Sequence, residues 1–239
     1  MAAKKRLNII YDEQLFEIRF EPDPLLLDSR GLWVEEISKS LDLDKWQISS
    51  NRIDVHDEKK SLRTFISFNN LGLIVRSSPS KYYLDNTNKY LDLIGNNYNF
   101  LEHRKILRIG TRFLFWIEFK GNINKLVKRC TDRYVNITPE ARKCYGNNKS
   151  LLDLGFSSIF KSDKGSIRTK LGPMTVEEAP NLFSEYEYNR AHNHGLFYDI
   201  EYYSLPDIPF DSSTLKDTII EFSNESLEIY DNIAKLIFS

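Results

Sequence analysis

The feature that most constrains the fold is an alternation of apolar and polar residues in the middle of the chain, at residues 106–119, ILRIGTRFLFWIEF. One set of alternate positions is apolar except for Thr111, and it comprises Leu107, Ile109, Phe113, Phe115, Ile117 and Phe119. The other set includes Arg108, Arg112, Trp116 and Glu118. Because successive side chains of a β-strand point to opposite sides, this pattern predicts a long strand with one buried and one partly polar face.

Alternation and helical spacing elsewhere predict two runs of the same elements. Strands are predicted at residues 14–20, 45–57, 62–68, 71–77, 106–119, 151–161, 166–172 and 195–203. Helices are predicted at residues 28–41, 81–95 and 122–135, as a turn from Thr138, and from Leu215 onwards. Residues 14–95 therefore follow the order β-α-β-β-β-α, and residues 106–238 repeat it with a longer insertion before the last strand.

This repeated order predicts the fold class. We expect an α+β fold in which a duplicated β-α-β-β-β-α unit forms a broad antiparallel sheet, with helices packed on one face. Residues 1–101 form the first half and residues 102–239 the second half of one pseudo-twofold domain. By element order alone this is similar to the TATA-box-binding-protein-like and helix-grip shapes, and that similarity carries no function.

The C-terminal helix has the clearest helical spacing. Its apolar stripe follows intervals of four and three residues: Leu215, Ile219, Phe222, Ser226, Ile229, Ile233 and Leu236. About 25 residues rise roughly 37 Å at 1.5 Å per residue, which is long enough to lie across an entire sheet. We expect a core-packing helix, with a coiled-coil interface as the alternative. In the first predicted helix, Leu32, Trp33, Ile37 and Leu41 form the corresponding stripe.

Composition indicates a protein that buries an ordinary core in a reducing compartment. Hydrophobic residues make up 41% of the chain, and Cys130 and Cys144 are the only cysteines. The chain contains no long apolar run and no secretory signal, so we expect a cytoplasmic protein that does not contact a membrane. The phosphate-loop, nucleophile-elbow and His-Glu-x-x-His motifs are also absent, so the sequence favours a non-enzymatic protein without excluding an enzyme, and no cofactor is expected.

Charge is segregated along the sequence although the net charge is only −1. Residues 104–149 hold twelve Lys and Arg against three acids, whereas residues 170–239 hold thirteen acids against four Lys and Arg. These blocks of +9 and −9 can pair within the fold, between subunits or with a partner.

The polar faces of three predicted strands supply the leading functional hypothesis. If helices cover the apolar face of the sheet, the opposite face carries Glu17, Arg19, Arg108, Arg112, Trp116, Asp199 and Glu201. One interpretation is a solvated face of cross-strand ion pairs. The functional interpretation is a surface by which a non-enzymatic binding or regulatory protein holds a ligand, a protein partner or a second copy of itself.

Two alternatives use other residues. The helix at 122–135 places Lys125, Lys128, Arg129 and Arg133 mostly on one side, a basic stripe that can neutralise nucleic-acid phosphates. His192 and His194 form a His-x-His pair that can bind a metal ion, which predicts a metal-dependent hydrolase or nuclease. The competing interpretations are internal charge pairing for the stripe and ordinary loop histidines for the pair.

Two short motifs resemble those of a sporadically distributed bacterial family of uncharacterised proteins. Phe16-Glu17-Ile18-Arg19-Phe20 is similar to that family's first strand, and Arg108-Ile109-Gly110-Thr111-Arg112-Phe113 to its mid-chain strand. Leu114-Phe115 departs from the family, which has a more polar pair at these positions. The resemblance implies one compact α+β unit with no assigned activity, encoded in a mobile-element or phage-defence locus.

Overall fold

The long strand predicted at the centre of the chain is present, and it joins two halves of one sheet. The computed structural model describes residues 9–97, 104–135, 138, 144, 151, 153–179, 192–206, 208–209 and 211–238. The strands are β1 (Ile9–Phe20), β2 (Lys45–Ile48), β3 (Arg52–Asp57), β4 (Leu62–Ser67), β5 (Asn70–Arg76), β6 (Lys105–Glu118), β7 (Phe156–Lys161), β8 (Ser166–Met174), β9 (Gly195–Ser204) and β10 (Ile208–Pro209). The helices are α1 (Leu25–Asp28), α2 (Arg30–Leu41), α3 (Ser80–Asn97), α4 (Ile123–Cys130) and α5 (Ser212–Phe238).

The sheet is antiparallel throughout its described strands. Its order is β2-β3-β4-β5-β1-β6-β9-β8-β7, and β10 pairs with the start of β6. In each half the first strand pairs with the last strand of the following meander, β1 with β5 and β6 with β9. The halves meet where β1 pairs with β6, with Glu17 opposite Gly110. The predicted α+β class, with a broad antiparallel sheet and a long C-terminal helix, is confirmed.

The core lies between one face of this sheet and the helices. Phe16, Ile18 and Phe20 of β1 are buried on that face, as the alternation predicts. Helix α5 crosses the second half, where the ring of Phe222 stacks on that of Tyr202 with centroids 3.9 Å apart. Such burial is the main source of stability for a fold of this kind, because it removes large apolar side chains from water.

Several predicted boundaries are wrong for identifiable local reasons. Residues 45–57 form two paired strands, β2 and β3, because a polar turn at residues 49–51 reverses the chain. The strand predicted at residues 151–161 begins at Phe156. The helix predicted at 122–135 is α-helical only to Cys130, and Thr131–Val135 continues it as a π-helical turn. Of the turn predicted from Thr138, residues 139–143 lie outside the described residues.

Two residues predicted to be buried are exposed. Leu107 is 44% exposed, because the register between β1 and β6 shifts between Arg19 and Phe20 and breaks the alternation at this point. Leu32 is 65% exposed, while its neighbours in the predicted stripe, Trp33, Ile37 and Leu41, are buried.

The buried stripe of α5 departs from the four-three spacing after Ser226. The buried residues beyond that position are Tyr230, Ala234 and Ile237, whereas Leu236 is 46% exposed. A straight α-helix has 3.6 residues per turn, so a strict seven-residue repeat drifts away from a flat packing surface. The prediction therefore names the correct face at the start of α5. Towards its end Ile229 and Ile233 still pack against the core, partly buried, and Leu236 is on the exposed side. Within the described residues, no helix is long and apolar enough to cross a membrane.

Candidate functional site

The sheet face that the helices leave uncovered is rich in charged residues. This open face is defined by the side chains that share a side with Glu17 through in-register pairing. Its cations in β1–β9 are Arg19, Lys45, Arg52, Arg63, Arg76, Arg108, Arg112, Lys161, Arg168 and Lys170. Its carboxylates are Glu13, Glu17, Asp54, Glu118, Asp199 and Glu201. These ten cations against six carboxylates give the open face a positive balance in a chain whose net charge is −1.

A chain of ion pairs crosses the junction of the two halves. Arg108 of β6 donates to Glu17 of β1 at 3.0 Å and also to Glu201 of β9. Arg19 extends the chain on the Glu17 side at 2.9 Å, and Arg168 extends it on the Glu201 side at 3.3 Å. The sequence placed Glu17, Arg19, Arg108 and Glu201 on one surface, and the structure brings them together.

An aromatic ring lies within this chain. The guanidinium groups of Arg108 and Arg168 lie 5.2 and 5.8 Å from the centre of the Tyr203 ring. Contacts of this kind attract a cation to the ring face and hold the arginine side chain in place. Tyr203 is opposite Gly110 in the pairing of β9 with β6.

Arg112 and Asp199 form a separate bidentate pair. Arg112 Nε donates to Asp199 Oδ1 and Arg112 Nη2 to Asp199 Oδ2, each at 3.0 Å. The hydrogen bond to Asp199 raises the pKa of the Arg112 guanidinium above its ordinary value. The pair borders a depression of about 250 Å³ that Arg168, Lys170 and Glu201 also line. Among the described residues, no ion pair reaches Lys170.

Trp116 was predicted to belong to the partner surface, and the structure contradicts the exposure that this role needs. Its side chain is on the open face as predicted, but it is only 1% exposed. A second small core of Ile10, Trp116 and Ala179, with Val176 packed against it, covers this end of the face. The indole ring also lies on Gly195, where an added Cβ would approach Trp116 Cε2 to 2.3 Å. Sequence alternation gives the side on which Trp116 lies, but it does not reveal the segment folded over it.

The first half of the open face has its own charged cluster. Asp54 accepts from Arg52 at 2.8 Å and from Arg63 at 2.7 Å. The guanidinium of Arg52 also lies 4.3 Å from the centre of the Phe65 ring, which is buried against Gly72. Arg63, Arg76, Arg168 and Lys170 were not singled out from the sequence. Extending the alternation argument to β4, β5 and β8 would have found them.

The predicted basic stripe is largely occupied by contacts within the chain. Lys128 pairs with Asp132 one helical turn away. Arg129 lies 5.4 Å from the centre of the Phe119 ring, and Arg133 donates to the carbonyl oxygen of Leu236 at 3.4 Å. Lys125 is exposed. The stripe therefore helps to join α4 to its surroundings, and it leaves fewer donors for an external partner than the spacing indicates.

The two histidines of the predicted metal pair lie just before β9. The backbone N–H of His192 donates to Glu118 Oε1 at 2.8 Å. Nδ1 of His194 accepts from the backbone N–H of Val176 at 3.3 Å. Among the residues that the structure describes, no group of three or more His, Cys, Asp and Glu side chains is arranged to hold a metal ion. The metal-binding role stays a prediction.

Among the described residues, two ion pairs join the oppositely charged sequence blocks. Arg108 with Glu201 and Arg112 with Asp199 are ion pairs between them. Much of the remaining negative charge is on the outward side of α5, where Asp217, Glu221, Glu225 and Glu228 border a shallow surface depression. The molecule is thus positive on the open face and negative along the outward side of α5.

Comparison with protein-family models and with curated proteins gives no relative from which a role could be transferred. No protein-family model matches the chain. No curated protein matches it either. A functional proposal for this chain therefore depends on the geometry and charge of its open face.

Proposed function

We propose that the protein is a non-enzymatic nucleic-acid-binding protein that holds the phosphate backbone against the open face of its sheet. The observation that carries the proposal is the excess of arginine and lysine over carboxylate on that face. Nine strands about 4.8 Å apart place these cations over a width of roughly 38 Å, which allows contact with several successive phosphates.

The arginines on this face keep donors for an external anion. A guanidinium has five N–H groups, and Arg112 uses two of them on Asp199. The side chains of Arg19, Arg76 and Arg168 are 53%, 50% and 47% exposed although each has a carboxylate partner. The carboxylates orient the guanidinium groups, and the outward N–H groups can reach phosphate oxygens.

The scarcity of exposed apolar side chains on the open face favours a phosphate ligand over a protein partner. Protein interfaces generally have an apolar core surrounded by a polar rim. Of the large hydrophobic side chains exposed in the described part of the chain, Ile159 is the one at an in-register open-face position. A face with many cations and few exposed apolar groups is better suited to a phosphate backbone.

The burial of aromatic side chains on the open face favours contact with the phosphate backbone of a nucleic acid rather than with its bases. Phe65 and Trp116 are buried, so their rings cannot stack on a nucleobase. Tyr203 is partly exposed, but two guanidinium groups lie near its ring. We therefore expect binding with little sequence preference and a strong dependence on salt.

A salt titration with paired variants tests the proposal. Fluorescence anisotropy with labelled 30-mer single strands and duplexes, at 50 and 200 mM salt, should show wild-type affinity that falls steeply with salt. Arg168→Gln combined with Lys170→Gln should reduce the slope of log K against log salt by about 1.8 for the duplex and about 1.4 for the single strand, since each lost phosphate contact removes about 0.9 or 0.7 respectively.

The control removes the same charge elsewhere on the molecule. Lys125→Gln combined with Lys128→Gln on α4 should leave the salt slope unchanged. No binding at 50 mM salt would refute the proposal, and a loss of binding only in the α4 variant would move the interface to the basic stripe. Circular dichroism establishes that both variants are folded.

A nucleic-acid partner is compatible with the cytoplasmic location that the composition predicts. The bacterial origin and the mobile-element or phage-defence locus that the family resemblance implies stay predictions, and identification of the neighbouring genes tests them.

A further inference from the structure

A cleft of about 660 Å³ opens on the first half of the open face, away from the Arg112 pair. Its floor includes Ile74 of β5, and its walls come from β3, β4 and the turn between them. Its volume lies within the range of roughly 300–1,000 Å³ that small-molecule sites occupy. The cleft therefore has room for an organic ligand of the size of a mononucleotide.

Each carboxylate in the wall of the cleft already has a compensating partner. Asp54 accepts from Arg52 and Arg63. Glu58 pairs with Lys45 at 3.1 Å. Each of these carboxylates has a cationic partner within the fold, which weakens its repulsion of an incoming anion.

Asp57 is compensated by the turn that follows it. Oδ1 of Asp57 accepts from the backbone N–H groups of Lys59 at 2.8 Å and Lys60 at 3.2 Å. Burial opposes ionisation of Asp57, but these two hydrogen bonds together with the positive charges of Lys60 and Lys59 outweigh it, so that the pKa of the carboxyl is lowered. Asp57 therefore holds the shape of the turn and does not need a ligand cation.

The cationic groups of the cleft have fewer partners within the fold than its carboxylates have. Lys59 and His56 both line it, and within the described residues no hydrogen bond or ion pair reaches either side chain. Arg63 directs Nε and Nη2 to Asp54, and Arg76 directs Nε and Nη2 to Glu13 at 3.4 and 3.2 Å. Each arginine retains Nη1 for another acceptor.

We propose that this cleft binds a small organic phosphate, with Lys59, Arg63 and Arg76 holding the phosphate and Ile74 contacting the carbon skeleton of the ligand. Guanidinium forks and an ammonium group are the usual phosphate ligands of proteins, and His56 supplies a further hydrogen-bonding group at the wall. The proposal does not depend on nucleic-acid binding, because it rests on the cleft and its unused donors.

Isothermal titration of the full chain tests the site with four defined probes: adenosine monophosphate, ribose 5-phosphate, adenosine and inorganic phosphate. Both organic phosphates should bind with Kd below about 1 mM, and adenosine should bind at least tenfold more weakly. Lys59→Gln combined with Arg63→Gln should weaken phosphate binding at least tenfold, while Asp54 keeps Arg52 as its partner. An unchanged thermal midpoint in that variant separates loss of the site from loss of the fold.

The control variant distinguishes this site from the nucleic-acid interface. Arg168→Gln combined with Lys170→Gln, on the other half of the sheet, should leave the affinity for ribose 5-phosphate unchanged. The proposal is refuted if neither organic phosphate binds with Kd below about 1 mM, or if the Lys59 and Arg63 variant binds as well as the wild type. Equal affinity for inorganic phosphate would refute the role of Ile74 and the assignment of an organic ligand.

Discussion

The pair between Arg112 and Asp199 offers a quantitative test of how the open face is held together. Replacing Arg112 with Gln removes both hydrogen bonds to a carboxylate that is only 9% exposed. A buried acceptor left without its partner costs about 1–3 kcal/mol. Because Arg112 itself is 42% exposed, water can reach part of the site, and we expect the lower part of that range, about 1–2 kcal/mol.

Replacing the other member of the pair, Asp199, should reduce the free energy of unfolding by less. Asp199→Asn keeps an acceptor for one arginine N–H and leaves a cation that is already half in water, so about 0.5–1 kcal/mol is expected. The double variant should be less destabilised than the sum of the two, with a coupling energy of about 1 kcal/mol. For a chain of this length, the Arg112 replacement alone should lower Tm by about 2–8 °C.

Urea unfolding followed by circular dichroism measures this cycle. The control is the pair of Arg76 and Glu13, which are 50% and 17% exposed and also join adjacent strands of the open face, although these two residues are directly opposite each other whereas Arg112 is diagonal to Asp199. Its coupling energy should stay below about 0.5 kcal/mol, as is usual for exposed ion pairs. A coupling for Arg112 and Asp199 no larger than that of the control would contradict the reasoning from burial.

Two further predictions concern the core. Ile237→Ala should destabilise the protein by about 2–4 kcal/mol and Leu236→Ala by less than about 1 kcal/mol, because Ile237 is buried and Leu236 is exposed; equal costs in urea would contradict the packing of α5. Burial raises the pKa of the Cys130 thiol to about 12, so a thiol reagent at pH 8 should modify exposed Cys144 quickly and Cys130 only on unfolding. Rapid modification of both thiols in the folded protein would contradict the burial of Cys130. Since that pKa lies above the unfolded value of about 8.5, the thiol's contribution to stability is complete below pH 8.5 and is lost as pH rises towards 12.

Strand identity and side-chain direction could be predicted from the sequence because they depend on local alternation. The residues of β1 and β6 that alternate most regularly lie on the predicted faces, including Glu17, Arg19, Arg108 and Arg112. The predictions from sequence fail where a contact with a distant part of the chain determines whether a side chain is exposed. Trp116 is on the predicted side, but the segment that contains Val176 and Ala179 covers it.

The candidate sites were less predictable than the fold. The cleft depends on the turn after β3 and on two strands that meet it in space, so its residues share no sequence spacing. Lys125, Lys128, Arg129 and Arg133 illustrate the opposite error, since their spacing describes one helix face correctly and does not reveal the contacts of three of them. Charge patterns in sequence give the number of ionic groups, and only the tertiary structure shows how many of them already contact other groups of the same chain.

The pairing of β1 with β6 affects the order in which the protein can fold during synthesis. One edge of β1 pairs with β5, in the first half of the chain, but its other edge cannot pair until β6 has been synthesised. Until Lys105–Glu118 has left the ribosome, the first half has an unpaired strand edge, which is a site of aggregation in nascent chains. Once β6 and β9 have been synthesised, their apolar side stays exposed until α5, which packs against both strands, has also been made. The nascent protein therefore passes through two stages at which a chaperone would be expected to bind it, first at a backbone edge and then at an apolar surface.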